Sequence, residues 1–397
     1  MGKHPVLKRI KKHEETLISI RRHLHRHPEL SNQEENTAAY VAEMLHNLDL
    51  KVQTHISPGH GVTGLLDVGA KRTVAIRSDM DALPILEARE SSYRSQNEGV
   101  MHACGHDCHM TIALGAALVF TEMRDQLAAN IKFIFQPAEE LPPGGARFMI
   151  EEGVLQNPPV EAVFGYHMDP FIPVGQIGIK DGALMANADY FYITIYAEGG
   201  HAAYPHRGQD GVLIGSMVVQ ALQNITSREI EATRPAVVSI GEFKAGDAPN
   251  VLAHKVEMSG TARSFDDEVR VQIPQRIDNI LKHLTSMMGA SYEFQYHEGY
   301  PAVDLNPQIN QYVRSAVRDV LGEDALLELT VPKMGGEDLG YFLREVPGTM
   351  LRVGVYNPDK DCIYPLHHPR FDVDENSLLY GTATLIQSIL NYVHDRR

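Results

Sequence analysis

The octapeptide His102-Ala103-Cys104-Gly105-His106-Asp107-Cys108-His109 gathers three imidazoles, two thiols and a carboxylate around one glycine. These side chains bind borderline transition metals, and a glycine lets the backbone turn tightly enough for Cys104 and His106 to face one ion. A polar surface turn is the alternative reading, and Cys104 with Cys108 could form a redox pair, although the surrounding histidines favour metal. A second chemical signal is Gln136-Pro137-Ala138-Glu139-Glu140, where two adjacent carboxylates repel and so suggest a nearby cation. One can bind metal while its neighbour acts as general base on a water, the division of labour that a hydrolase needs. Tyr166-His167-Met168 and Leu366-His367-His368-Pro369 supply further imidazoles. Each segment alone also reads as ordinary structure. Taken together, Cys104, His106, Glu140, His167 and a C-terminal histidine offer sulfur, nitrogen and oxygen donors, enough for two metals with open positions.

Composition narrows the setting. The chain of 397 residues exceeds the size at which one core keeps growing, so two domains are expected. With 43% hydrophobic and 22% charged residues it is globular and not disordered. A formal charge of -15 opposes general attraction to nucleic acid or anionic lipid. Twenty histidines beside three cysteines point to metal chemistry more than to a disulfide framework. The charged N-terminus lacks an apolar run and predicts no secretory leader, and the longest apolar stretch, near 112–120, is too short to span a bilayer. The expectation is a soluble cytoplasmic protein.

The elements that must carry these side chains follow from periodicity. Leu7, Ile10, Leu17, Ile20 and Leu24 predict a helix over 6–26, stopped by Pro28, and Ala38, Val41, Ala42 and Leu45 predict one over 34–48. Short β-branched runs at 62–68, 73–77, 131–136 and 162–166 alternate with helical stretches at 109–123 and 146–151, which argues for an α/β sheet of mainly parallel strands. In such sheets chemistry collects past the carboxyl ends of strands. Asp79 and Asp81 follow one strand, Glu139 and Glu140 another, and His167 a third. From about residue 188 the pattern becomes strand 190–197, helix 208–226, strands 236–243 and 255–263, helix 267–287 and strand 292–296. That β-α-β-β-α-β order predicts a smaller ferredoxin-like α+β domain over 188–298, inserted in a catalytic domain formed by 1–187 and 299–397. The latter ends with helices at 307–320 and 376–393. Gly59-His60-Gly61-Val62-Thr63-Gly64 satisfies a dinucleotide-binding pattern, but it leads into a strand-like run and not a helix, so it reads as a loop. There is no nucleophile elbow, P-loop or H-E-x-x-H pair.

At this point a family comes into view. Leu24-His25-Arg26-His27-Pro28-Glu29-Leu30, Arg77-Ser78-Asp79-Met80-Asp81-Ala82-Leu83-Pro84, residues 101–109, Phe135-Gln136-Pro137-Ala138-Glu139-Glu140, Gly199-Gly200-His201-Ala202-Ala203-Tyr204-Pro205-His206 and Met334-Gly335-Gly336-Glu337-Asp338 occur in one order. In them, over nearly its full length, the chain resembles the metal-dependent aminoacylase and carboxypeptidase family, in its amidohydrolase branch of hippurate hydrolases, N-acetyldiaminopimelate deacetylases and auxin-conjugate hydrolases.

The resemblance implies a zinc-exopeptidase-like catalytic domain that hydrolyses the amide bond of N-acyl amino acids. It implies two divalent metal ions per subunit, zinc or manganese, cobalt or nickel, held by Cys104, His106, Glu140, His167 and His367, with Glu139 as general base. Asp81 resembles the aspartate that orients a metal-binding group, and His201 the histidine that stabilises the tetrahedral intermediate, often from a partner subunit. Asn250 and Arg263 match positions that hold the substrate's carboxylate, a task that suits the planar guanidinium. Two departures matter. The wider family has His-x-Asp where this chain has Asp79-Met80-Asp81, so Cys104 compensates, and the branch pattern Leu-His-x-Pro favours His367 over His368.

Small-molecule acyl amino acids are therefore the expected partners, with neither nucleic acid nor membrane, in a homodimer or higher homo-oligomer. Hydrolysis of dipeptides or tripeptides by the same machinery is the nearer alternative, and a non-catalytic metal-binding protein the more remote one. Paired Glu139 and Glu140 count against the latter, because storage needs ligands but no base beside them.

Overall fold

The computed structural model describes residues 4–56 and 59–395, and the first three residues of the N-terminal stretch considered above lie outside it. The chain divides into two compact units, one of Met1–Gly182, Asp304–Val331 and Asp338–Arg397, the other of Ala183–Val303 and Pro332–Glu337.

The first unit is built on an eight-stranded sheet whose spatial order is Lys51–Ile56, Gly61–Leu66, Asn130–Gln136, Thr73–Asp79, Ala162–Pro173, Gly348–Tyr356, Ile177–Ile179 and Leu326–Glu328. The central strands run parallel, Thr73–Asp79 between Asn130–Gln136 and Ala162–Pro173, and the last of these beside Gly348–Tyr356. Antiparallel pairs flank them. Thr73–Asp79 and Asn130–Gln136 are buried along their whole length, as expected of parallel strands covered on both faces. Helices Glu14–Arg26, His106–Glu122 and Asn376–Asp395 add Leu17, Leu24, Ile112, Leu114, Leu385 and Ile389 to the same apolar core.

Three local features differ from the periodicity reading, each for a physical reason. The expected helix over 6–26 is two, Pro5–Lys11 and Glu14–Arg26. No apolar residue anchors the turn between Ile10 and Leu17, and Glu14 and Glu15 open the second helix, where carboxylates favour the N-terminal end of the dipole. The helix expected from 109 begins at His106, immediately after Gly105 at φ +87. Only glycine takes that conformation cheaply, and an added Cβ would also meet the Met168 side chain at 3.1 Å. The strand Gly348–Tyr356 carries no alternation, because Arg352 within it is buried and paired to Asp169 at 3.2 Å. The glycine-rich stretch from Gly59 leads into the strand Gly61–Leu66 and not into a helix.

The second unit has a four-stranded antiparallel sheet ordered Ala236–Ala245, Lys255–Ser264, Ala188–Tyr196 and Ser291–Tyr300. Helices Gly211–Asn224 and Asp267–Met287 pack on it through Ile214, Val218, Leu222, Ile273 and Ile277 against Phe191, Ile193 and Ile195. Chain order and sheet order together are ferredoxin-like. Asp210 and Asp266 cap the two helices by accepting the N–H of Leu213 and Val269. Among the described residues of the chain no helix is long and apolar enough to cross a membrane.

One buried ion pair secures this unit. Asp189 accepts from Arg270 at 2.5 and 3.0 Å, from the Tyr296 hydroxyl at 2.9 Å and from the Gly299 N–H at 2.9 Å. Removing the guanidinium leaves a buried carboxylate without its counter-charge, so Arg270→Ala is expected to cost about 3–5 kcal/mol. A lowered denaturant midpoint for the transition that involves the second unit checks this, and an unchanged midpoint would contradict it.

Candidate metal centre

The first unit brings Asp81, Cys104, His106, Glu139, Glu140, His167 and His367 to one end of its parallel strands. Register explains part of this. Asp79 pairs with Gln136, and Ile76 with Phe164, so continuing the second pairing by three residues sets His167 level with Asp79. The segments that leave these strands carry Asp81 and the pair Glu139-Glu140.

Two histidines have their tautomers set by the backbone. His106 Nδ1 lies 2.8 Å from the Asp81 carbonyl oxygen and His167 Nδ1 lies 2.8 Å from that of Met168. A carbonyl only accepts, so Nδ1 carries the proton in both rings and Nε2 is left with its lone pair, the form in which imidazole ligates a metal. His167 Nε2 is 3.5 Å from Cys104 Sγ. His106 Nε2 is 3.9 Å from Glu140 and 4.0 Å from Glu139. His367, at φ +63 and anchored by its N–H to the Ala103 carbonyl, faces Glu140 across 3.3 Å. His368 turns the other way, stacking on Tyr364 at 4.6 Å.

The donor atoms of Cys104, His106 and His167, of Cys104, Glu140 and His367, and of His106, Glu139 and Glu140 form three overlapping groups, each within 4.8 Å. His106 Nε2 is buried there with no hydrogen-bond partner, and Glu140 Oε1 is buried between the ring nitrogens of His106 and His367. Electrostatics agree with a cation. Burial works against charge on His106, yet Asp79, Asp81 and Glu140 push its imidazole up to about 10. Burial and then Glu140, Glu139 and Asp79 push the Cys104 thiol well up. An anionic field that favours a proton on Nε2 equally favours a metal there, and thiolate formation at Cys104 needs such a positive charge. The residues therefore fit a metal: Cys104, His106, Glu140, His167 and His367 could hold it.

A fourth grouping, Asp79 with His106 and His109, is excluded by its own bonds. His109 Nδ1 donates to Asp79 at 2.6 Å and its Nε2 accepts the Met168 N–H at 3.0 Å, so neither nitrogen is open. Asp79 also accepts from Arg77 at 2.8 Å. His102 is buried outside these groups, and burial pushes its imidazole down to about 3. Cys108 packs in the apolar core. Asp107 accepts from Arg21 at 2.9 Å and from His25 at 2.8 Å, while Arg21 also reaches Asp372 at 2.7 Å. That bridge fastens the helix bearing His106 to the segment bearing His367.

Asp81 organises the centre. Its carboxylate accepts the N–H of Glu139 at 3.0 Å, the N–H of Glu140 at 2.9 Å and the Ser31 hydroxyl at 2.6 Å. Burial opposes its charge, but the bonds from His106, Ser31 and Glu140 hold the carboxyl below its usual range. Ser31 was not visible from its type, since it lies in a polar loop that resembles any other. Arg77 and Asp338 sit in matched segments without an assigned task. Arg77 bonds Asp338 at 2.6 Å, and Asp338 also accepts from Gln136 at 2.6 Å, tying two strand ends together.

His201, Asn250 and Arg263 belong to the second unit. His201 lies on the short strand Gly200–His201 opposite Val251, and the Ala202 N–H donates to the Asn250 carbonyl at 3.0 Å, so these two segments meet. His201 is exposed, its Nδ1 accepting the Ala203 N–H at 3.1 Å. Arg263 is anchored through Nη1 to the carbonyls of Asp189 and Ala262.

Buried carboxylates beside candidate metal donors, at the carboxyl ends of parallel strands, suit a metal-dependent hydrolase. Comparison with known proteins makes this particular. The profile of Peptidase family M20/M25/M40 matches residues 75–391, and the chain belongs to that family of hydrolases. It is 44% identical over 308 residues to the N-acyl-L-amino acid amidohydrolase of Geobacillus stearothermophilus, covering 77% of this chain and 82% of that one. It is 37% identical to thermostable carboxypeptidase 1 of Saccharolobus solfataricus, covering 93% of each. Among solved structures, the YXEP protein of Bacillus subtilis, described as a dinuclear metal binding peptidase of the M20 family, superposes with a TM-score of 0.84 at 31% identity, covering 97% of this chain and 99% of that one.

Removing the Asp81 carboxylate frees the backbone of Glu139 and Glu140 together. Asp81→Ala is expected to weaken metal affinity by about 10–100-fold, the usual effect of losing a group that orients ligands. Elemental analysis after dialysis against graded chelator reads this, and wild-type retention would contradict it.

Proposed function

We propose that the chain hydrolyses the amide bond of N-acyl amino acids, with N-acetyl or N-benzoyl groups as the first candidates, releasing a carboxylate and a free amino acid. The observation that carries this reading is the pair Glu139 and Glu140, neighbours in sequence whose backbones are clamped by one carboxylate beside the donor cluster. The similarity to an enzyme named N-acyl-L-amino acid amidohydrolase supports the substrate class.

In this reading Cys104, His106, Glu140, His167 and His367 hold two divalent ions, zinc or manganese, cobalt or nickel. Such ions, when bound, polarise the acyl carbonyl and make hydroxide available near neutral pH. Glu139 takes a proton from the attacking water as the new C–O bond forms. It returns that proton to the nitrogen as the C–N bond breaks, so one carboxylate serves as base and then acid. His201 donates a hydrogen bond to the oxyanion. Asn250 and Arg263 hold the substrate's carboxylate, the anchored guanidinium presenting a planar fork that matches it. We further propose a homodimer or higher homo-oligomer in which His201 acts in the partner's site. The strand Ala236–Ala245 is an edge of its sheet, and edges call for cover.

The relative named carboxypeptidase favours one second reading, in which the same centre cleaves peptides. A panel of N-acetyl, N-benzoyl and long-chain acyl amino acids together with dipeptides, assayed after reconstitution with each metal, separates the two. Free amine from the acyl amino acids is expected; faster release from dipeptides would favour the peptidase, and release from neither would remove both. Glu139→Gln is expected to keep metal but lose turnover by about a hundredfold or more. His201→Ala should also lose turnover with metal retained, and mixing the two variants should recover activity through subunit exchange. Mixed oligomers without recovery would contradict action across subunits.

A further inference from the structure

Glu34 is a buried carboxyl to which the reaction above gives no task. It precedes the helix Glu35–His46, yet its side chain caps no helical N–H. Instead Oε1 accepts the N–H of Ala138 at 2.8 Å, across 104 residues of sequence, while Oε2 is buried with no hydrogen-bond partner. Ala138 sits at φ +54, a left-handed conformation costing a non-glycine residue about 1–2 kcal/mol. It is the residue immediately before Glu139. Three successive N–H groups, those of Ala138, Glu139 and Glu140, thus donate to two buried carboxyls, the first to Glu34 and the others to Asp81.

We propose that Glu34 is a positioning residue for hydrolysis, its carboxyl oxygen holding the strained Ala138 turn so that Glu139 points at the reacting water. This rests on the reading of Glu139 as the base.

The cost of this arrangement argues that it is retained for a purpose. Burial and the nearby Asp81 push the Glu34 carboxyl up to about 7, so a second buried acid is kept beside an ionised one. An apolar side chain would fill the same space without desolvation cost. What it could not do is satisfy the Ala138 N–H, and without that bond the left-handed residue is held only from the Glu139 and Glu140 side, by Asp81. The turn would relax toward an ordinary conformation and rotate the peptide plane that leads into Glu139.

The test compares Glu34→Ala, Glu34→Gln and Glu34→Met in the full chain reconstituted with the metal that supports most activity, on whichever acyl amino acid of the panel is cleaved fastest. Misplacing a reacting group by about 1 Å can cost on the order of a hundredfold, so Glu34→Ala is expected to lower kcat by about 10–100-fold. KM should stay within about twofold and metal content should be unchanged, since the substrate and metal donors are untouched. Glu34→Gln keeps an acceptor oxygen and should remain within about threefold of wild type. Wild-type kcat in Glu34→Ala overturns the proposal, as does a glutamine variant as poor as the alanine one, or an effect confined to KM. Should the alanine chain not fold, Glu34→Met preserves volume without an acceptor and carries the same comparison. Glu139→Gln assayed in parallel keeps the two ideas apart: full activity there overturns the base assignment and with it the proposal that rests on it, whereas lost turnover there beside wild-type kcat in Glu34→Ala overturns the Glu34 proposal alone. If nothing in the panel is cleaved, amide hydrogen exchange across residues 134–141 tests the clamp without turnover. Faster exchange in Glu34→Ala, restored in Glu34→Gln, supports it, and unchanged exchange removes it.

Discussion

The buried carboxylate of Asp81 is the constraint on which the centre depends. It binds two consecutive backbone N–H groups and a hydroxyl, while the carbonyl of the same residue fixes the ring of His106. One residue thereby sets a candidate base, a candidate oxygen donor and a candidate nitrogen donor in a common frame. An unpaired anion in such a place would cost several kcal/mol, so the hydrogen bonds that hold Asp81 ionised are also what make the frame rigid. Mobility in any one partner would pass to the other two.

Around this frame lies a layer of ion pairs that reaches far along the chain. Arg21 connects the second helix to Asp107 and Asp372, and Arg77 connects a central strand to Asp79 and Asp338. Each guanidinium is buried and reaches carboxylates on separate segments, Arg21 those of Asp107, Asp372 and Glu375, Arg77 those of Asp79 and Asp338. Such pairs contribute little net stability over apolar packing. Their value here is geometric: a planar fork with fixed donors holds two segments at one distance and one angle.

The sequence made the donors legible because metal chemistry restricts residue type. Cys104 and His106 stand out beside their glycine, and Glu139-Glu140 stand out as adjacent like charges. The mainly parallel sheet was legible too, since Thr73–Asp79 and Asn130–Gln136 read as short apolar runs. The resemblance drawn from the ordered motifs agrees with the family that the chain belongs to. What stayed hidden were residues whose part depends on folding. Ser31 reads as one more polar loop residue, and Glu34 as the first residue of an expected helix, until Asp81 and the turn after Gln136 arrive beside them. The strand Gly348–Tyr356 was hidden because Arg352, a surface residue by type, is buried against Asp169. The start of the helix at His106 was hidden because a left-handed glycine, and no capping side chain, begins it.

The partners of Arg21 lie 86 and 351 residues away, and the candidate donors run from Cys104 to His367 with the second unit's principal segment between them. A chain made from its N-terminus folds such a local segment early, whereas contacts this distant wait for nearly the whole polypeptide. On the ribosome, the Ala183–Val303 segment has all its strands and helices before the last histidine of the cluster has been synthesised. The centre is therefore a product of the final stage of synthesis, and a chain truncated shortly before His367 would lack that donor, the Asp372 partner of Arg21 and the helix Asn376–Asp395 that completes the core.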